Sequence, residues 1–366
     1  MQDNAGVSST QTYAAAGVDT HQADRGVNAL VEVLRAIEPG RASLTVPLPG
    51  HYASVLRVTP NLGIALATDS VGSKVIVAEQ TRRFGTIGID CIAMNVNDLI
   101  CVGAQPLALL DYLAVEQADP EILKQIGVGL RIGAEAAGIE IPGGEVCQLP
   151  EVIRGHPSPY GFDLVGSAFG TVALDRIIDG AACAPDDALI GLPASGVHSN
   201  GLTLARKVLL ERAGLSLEAT PSELCGASVA DALLEPTAIY VRAVLALLAG
   251  EIPVHGLAHI TGGGLLNLLR LGSGVGYEIT APLPVTPVFG LIARLGEIGA
   301  AEMWEVFNMG CGFCVIVAAA DADDAVELLA SHHPGTVIIG RLTDDDGVVA
   351  MPDAGLRGDA SGLRQT

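Results

Sequence analysis

The sequence predicts an α+β fold of two mixed α/β domains, and two observations carry that prediction. Strand-like and helix-like segments mix in both halves without the strict βαβ alternation of a doubly wound sheet. The pattern also restarts between Leu174 and Gly180, after a long apolar strand. With 366 residues there is chain enough for two cores. The expected organisation is a flexible segment over residues 1–20, an N-terminal domain over 21–174, a C-terminal domain over 175–350 and a frayed tail over 351–366.

Taken in order, Val27, Leu30, Val31 and Leu34 form the stripe of an amphipathic helix. Ser54–Val58 and Gly63–Ala67 read as strands broken by Pro60-Asn61, and helices are expected after Ser73 and from Thr86 to Cys101. Leu107–Ala114 is a strand. Pro120 opens a helix that Gly138 can cap, and Phe162–Val172 is a further strand. In the second half Ala188–Leu192, Tyr277–Thr280, Phe313–Ala318 and Thr336–Gly340 read as strands. Helices fit after Asn200 and over Ala238–Leu248, Leu265–Leu271 and Asp321–Ser331.

Composition excludes several function classes. A formal net charge of −21 repels the nucleic-acid backbone, so no nucleic-acid partner is expected. No apolar run is long enough to span a bilayer, so no membrane partner is expected either. Residues 1–24 lack a basic and an apolar leader region, and seven scattered cysteines suit reduced thiols, which together point to the cytoplasm. The pair Cys311 and Cys314 precedes a buried strand pattern and is expected to be structural.

Four polar or glycine-rich clusters interrupt the scaffold. Thr68-Asp69-Ser70-Val71-Gly72-Ser73-Lys74 delivers an acid, a tight turn and a lysine at a helix start. It is either a phosphate-binding turn with Asp69 open to Mg²⁺ or an ordinary strand-to-helix turn, and it is not a Walker A loop. Asn97 and Asp98 sit beside an apolar helix stripe, as metal or ribose ligands or as a solvated face. Gly143-Gly144-Glu145 reads as a loop at a strand end, where backbone can approach phosphate or the acid can simply face solvent. The loops His198-Ser199-Asn200 and His259-Ile260-Thr261-Gly262-Gly263 each precede a helix, a natural place for a phosphorylated substrate.

These clusters, with Ala16-Gly17-Val18-Asp19, Ile89-Asp90, Gly103-Ala104-Gln105-Pro106, Leu110-Asp111-Tyr112, Glu235-Pro236-Thr237 and Phe307-Asn308-Met309-Gly310, resemble the aminoimidazole ribonucleotide synthetases. Members of that family are also called phosphoribosylformylglycinamidine cyclo-ligases. The order and spacing agree from about residue 13 to 343. The resemblance implies a homodimer formed through the sheets of the N-terminal halves, with ATP and Mg²⁺ held by the N-terminal domain. It assigns Thr68, Asp69, Gly72, Lys74, Asn97, Asp98, Gly143, Gly144 and Glu145 to ATP, with Asp69 and Asp98 on the metal. Ser199, Asn200, Thr261, Gly262 and Gly263 would bind the ribonucleotide, and Lys74, His198 and His259 would be catalytic. Leu48-Pro49-Gly50-His51-Tyr52-Ala53 and Val146–Glu151 depart from the family pattern, which bears on the identity of the substrate.

Overall fold

The computed structural model describes residues 20–272 and 274–366. The expected flexible segment and the Ala16–Asp19 motif therefore lie outside the described residues, apart from Thr20. The first half runs α1 (Thr20–Arg35), β1 (Thr45–Val46), β2 (Ser54–Arg57), β3 (Leu62–Ser70), α2 (Lys74–Thr81), α3 (Ile87–Ile100), β4 (Gln105–Val115), α4 (Pro120–Ala137), β5 (Glu140–Gln148) and β6 (Phe162–Ala173). Its six strands lie in the order β1-β2-β3-β6-β4-β5. Only β4 and β5 are parallel, and α4 is the crossover that joins them. Helix α4 starts as expected, with Asp119 capping it and Pro120 in the first turn, and it ends on left-handed Gly138.

Helix α3 is apolar on nearly every side because it is enclosed between the sheet and α4. Contact between the two helices depends on glycine: a Cβ on Gly88 would stand 2.1 Å from the Leu130 nitrogen. The opposite face of the sheet is uncovered by this chain. Leu107, Leu110 and Tyr112 of β4 are exposed there, whereas Ala65 and Leu109 point into the core. Along α1, the apolar stripe forms as expected, and Val27, Leu30 and Leu34 are exposed.

The second half comprises β7 (Ala188–Pro193), α5 (Leu202–Arg206), α6 (Val229–Leu234), α7 (Val241–Leu248), β8 (Val254–His259), β9 (Gly276–Ile279), α8 (Pro287–Gly296), α9 (Ala300–Val306), β10 (Cys311–Val317), α10 (Ala322–His332), β11 (Val337–Thr343), β12 (Val349–Met351), β13 (Leu356–Asp359) and β14 (Gly362–Gln365). Eight strands follow the order β14-β13-β12-β9-β11-β7-β10-β8, with β9 and β12 the parallel pair. Strand β10 is buried along its whole length. Cys311 and Cys314 sit in it with their sulfurs 3.6 Å apart, and the Cys311 contact together with burial holds the Cys314 thiol protonated.

Three expectations need correction. The segment over 351–366 is no frayed tail: β13 and β14 form a hairpin that extends the second sheet, anchored by buried Leu356. Gly143-Gly144-Glu145 is not a loop but the middle of β5, because parallel pairing to β4 runs straight through it. Gly144 is required there by close packing, since a Cβ would lie 2.2 Å from Asp111 Oδ1. Leu265–Leu271 is a 3₁₀ helix beginning at Gly264, and α5 is short, passing into a π-helical turn over Lys207–Arg212.

Candidate active site

The two domains meet along a seam where the segment Glu235–Tyr240 of the second domain docks on α2 and α3 of the first. Lys74 is fully buried at this seam, its ammonium 2.8 Å from Asp90 Oδ1 and 2.5 Å from the Glu235 carbonyl. The same Asp90 oxygen accepts from the Thr237 N–H at 2.8 Å and the Thr237 hydroxyl at 2.6 Å. Ser199 joins this network, its hydroxyl 3.3 Å from both Asp90 and Thr237. Asn97 is also fully buried: its amide donates to the Ala238 carbonyl at 2.9 Å and accepts from the Tyr240 N–H at 3.0 Å.

The expectations for Lys74, Asn97 and Ser199 are corrected accordingly. Lys74 has no free face toward a phosphate, and Asn97 and Ser199 bind protein across the domain junction. Gly72 lies against the Ser199 carbonyl in a left-handed conformation, so it shapes the turn that admits this loop. Asp90, which spacing alone did not single out, is the hub.

Beside the seam the groups are less saturated. Asp69 comes from the end of β3 and Asp98 from α3, close enough for the Asp98 charge to act on Asp69. Burial raises the Asp69 pKa, the Ser70 N–H opposes that, and Asp98 adds to it. Asp98 is 21% exposed and takes a 2.9 Å contact from His259 Nδ1, the last residue of β8. His259 is itself fully buried, so it reaches the site by fixing Asp98 and not by projecting from an open loop. His198 is likewise buried, with its backbone at φ 61°. Its Nε2 accepts from the Ser195 N–H at 3.2 Å, and burial, then His259 and Lys74, hold the imidazole neutral. That geometry pins the Ser195–His198 turn and runs against the expected proton shuttle.

Asn200, Thr261 and Gly262 line one cavity of about 580 Å³. Its loop is shaped by Asn267, which sequence reasoning missed: Asn267 Oδ1 accepts from Thr261 N at 2.7 Å and Thr261 Oγ1 at 2.9 Å, while Nδ2 donates to the Gly262 carbonyl. Gly263 takes φ 107°, a left-handed value that glycine supplies without strain.

Thr68 and Asp69 are neighbours in a strand and so face opposite ways. Thr68 opens on the uncovered side of the first sheet, where Tyr52, Thr68 and Ser167 border a cavity of about 480 Å³. In register across the sheet, Asp69 aligns with Gly166, Asp111 and Gly144. Gly143, Gly144 and Glu145 therefore stand three strand spacings, about 14 Å, from the β3 residues, and Glu145 faces the same side as Tyr112. The structure does not bring Glu145 to Asp69 and Asp98 within one chain. Among the described residues no group of three or more His, Cys, Asp or Glu forms a ready metal cage.

Comparison with known proteins shows the family. The N-terminal domain model of the AIR synthase related proteins matches residues 50–172, and the C-terminal domain model matches 184–352. Phosphoribosylformylglycinamidine cyclo-ligase of Methanothermobacter thermautotrophicus is 45% identical over 91% of this chain and 94% of its own length. That of Thermococcus gammatolerans is 46% identical over 92% of this chain and 97% of its own. Among solved structures, the hydrogenase maturation protein HypE in complex with ATP superposes with a TM-score of 0.57 at 20% identity, covering 87% of this chain and 91% of that one. AaThiL complexed with AMPPCP and TMP gives 0.58 at 16% identity, over 89% and 92%. At those identities the structural likeness establishes the fold.

Proposed function

The chain belongs to the AIR synthase related family, and from that premise we propose how its residues share the work of a phosphoribosylformylglycinamidine cyclo-ligase in purine biosynthesis. The enzyme is an ATP-dependent ligase. In the reaction the formyl amide oxygen attacks the γ-phosphate of ATP and ADP leaves. The amidine nitrogen then attacks the activated carbon, closing the imidazole ring as phosphate departs. An amide oxygen is a poor leaving group until it is phosphorylated, which is why the ring closure needs ATP.

Asp69 and Asp98 are the proposed metal ligands. Two carboxylates suit Mg²⁺, which keeps waters and phosphate oxygens in its octahedron and needs few protein ligands. Bound there, the ion would offset the charge on the transferring phosphoryl group. His259 is proposed as a positioning residue that holds Asp98, and no proton transfer is assigned to His198. Lys74, Asn97 and Ser199 serve by keeping the two domains in register. Asn200, Thr261, Gly262 and Gly263 take the ribonucleotide. Thr68, Gly143 and Glu145 can meet nucleotide only from the uncovered side of the first sheet, whereas Gly144 faces the side of Asp111.

That side is also the proposed homodimer face, since Leu107, Leu110 and Tyr112 expose apolar side chains there. Free, mostly buried thiols favour a reducing cytoplasm.

The observation that carries the site assignment is the meeting of Asp69 and Asp98 where a histidine from the other domain fixes the second carboxylate. Incubation with formylglycinamidine ribonucleotide, ATP and Mg²⁺ is expected to release ADP, and EDTA is expected to stop it. A folded preparation releasing no ADP with that ribonucleotide would overturn the reading. Sedimentation should give a dimer at micromolar concentration; an active monomer would remove the proposed interface.

A further inference from the structure

The cavity that holds Asn200, Thr261 and Gly262 has a far wall that belongs to none of the motifs above. Arg270, at the end of the 3₁₀ helix, forms one part of it, and Asp359 and Ala360, the turn between β13 and β14, form the other. The hairpin lies beyond residue 352, where the match to the C-terminal family model ends.

Arg270 is an oriented cation. Its Nε donates to the Gly50 carbonyl at 3.1 Å, and its guanidinium stacks over the Tyr52 ring at 4.5 Å. Tyr52 is in turn 7% exposed and locked by a 2.9 Å bond from its hydroxyl to the Asn267 carbonyl. Both residues that hold Arg270 belong to the segment over 48–53 that departs from the family pattern. Nε and the ring face are thus engaged, while the two terminal NH₂ groups donate to nothing among the described residues. The Gly262 and Gly263 N–H groups, across the same loop, also have no acceptor among the described residues.

The hairpin turn is built and not loose. Asp359 Oδ1 accepts from the Ser361 N–H at 2.8 Å and the Ser361 hydroxyl at 2.5 Å, and Oδ2 pairs with Arg364 at 2.5 Å. The acid's charge is therefore compensated inside the turn. The base of the turn is fixed by the Leu363 N–H donating to Glu305 at 2.9 Å.

We propose that Arg270 and the β13–β14 turn form the phosphate end of the ribonucleotide pocket, with Arg270 taking the 5′-phosphate and the turn setting the length of substrate admitted. This rests on the ribonucleotide reading above. The chemistry favours it: a guanidinium with a fixed plane and a free pair of NH₂ groups matches two phosphate oxygens. In a chain of net charge −21, such a cation beside free backbone N–H groups is a distinct place for an anion. The reacting formyl end would then point toward Asp69 and Asp98.

The test uses the full-length enzyme carrying Arg270→Gln, Arg270→Lys or Ala360→Trp, the last on an exposed turn residue that leaves the anchor of the hairpin intact. Arg270→Gln should raise the ribonucleotide KM about ten- to hundredfold, as expected for a lost charge-assisted pair, and leave the ATP KM alone. Arg270→Lys should recover part of that loss. Ala360→Trp should raise the ribonucleotide KM by shortening the pocket. Calorimetry with ribose 5-phosphate should show binding to the unmodified enzyme and none to Arg270→Gln. Unchanged ribonucleotide KM in folded Arg270→Gln and Ala360→Trp enzymes, or ribose 5-phosphate binding that survives Arg270→Gln, would overturn the proposal. Failure of the unmodified enzyme to convert the ribonucleotide would instead strike the functional reading. Ribose 5-phosphate binding that depends on Arg270 would still support the phosphate site in that case.

Discussion

The domain seam and the cleft beside it are made from the same motif residues, yet they differ in one respect: how many of their polar groups are already satisfied by protein. At the seam Lys74, Asp90 and Asn97 are fully buried and bind backbone or side chains of the opposite domain. In the cleft Asp98 and Arg270 keep donors or acceptors in reserve, and Asp69 carries a carboxylate whose charge burial disfavours. A motif residue is therefore either a fastener or a ligand, and residue type does not say which. The inventory of hydrogen bonds does.

The sharpest way to break this contrast is Lys74→Ala. It leaves Asp90 as an unpaired buried carboxylate, which costs about 3–5 kcal/mol. Chemical denaturation should show the loss, and an unchanged midpoint with lost ATP binding would return Lys74 to the phosphate site. Asp69→Asn should behave in the opposite way. It is expected to lower kcat/KM by roughly two to three orders of magnitude, in the range seen when a group that stabilises developing charge is removed. The folded pKa of Asp69 is raised above its ordinary value, so its ionised form carries a stability penalty above that raised pKa, relieved as pH falls through it. In metal-free buffer at neutral pH, Asp69→Asn should therefore keep or slightly raise Tm. A marked fall in Tm would make Asp69 a fastener.

His51 gives a pH test of how dry the cleft wall is. Burial first, then Arg270, lowers its pKa from 6.5 to about 4. Between those values the unfolded chain takes up a proton that the folded chain refuses, so stability falls as pH drops through this window, with a slope of up to about 1.4 kcal/mol per pH unit. His51→Gln should flatten that part of the curve; an unaltered slope would show the imidazole to be solvated. Ser199→Ala should have the smallest effect. Its bonds at 3.3 Å are long, so about 0.5–1 kcal/mol of stability is expected to go while the ribonucleotide KM stays within about twofold. A large KM change would put Ser199 back in the substrate site.

Local signals made the first domain's core legible in the sequence. The apolar stripe of α3 and the Pro120 start and Gly138 cap of α4 depend on nearest neighbours and helix period, which sequence carries directly. Strand β5 was hidden because Pro142-Gly143-Gly144 has the composition of a turn, while the reason for Gly144 is a contact with Asp111 on another strand. The β13–β14 hairpin was hidden by shortness: two four-residue strands rich in Gly, Asp and Arg show little alternation, and their register comes from docking on β12. Asp69, Asp98, Asn200 and Thr261 were legible as candidates because acids and small polar residues stood out against an apolar scaffold. Arg270 and Asn267 were missed because on a helical run they look like ordinary polar positions, and only Tyr52 and the Thr261 loop give them a task.

Strand β3 sends two neighbouring side chains to opposite faces, with Thr68 opening on one side of the sheet and Asp69 on the other. Shifting the strand by one residue would exchange them and would also turn Ala65 out of the core and Leu66 into it. This stretch should accept many changes of side chain and almost no change of length. Scanning the gene with single-codon insertions and deletions should expose a silent interval over residues 62–70 where no active clone is recovered. The exposed turn over 59–61 just before it should tolerate the same lesions, and lineages related to this chain should vary in length there and not inside the strand.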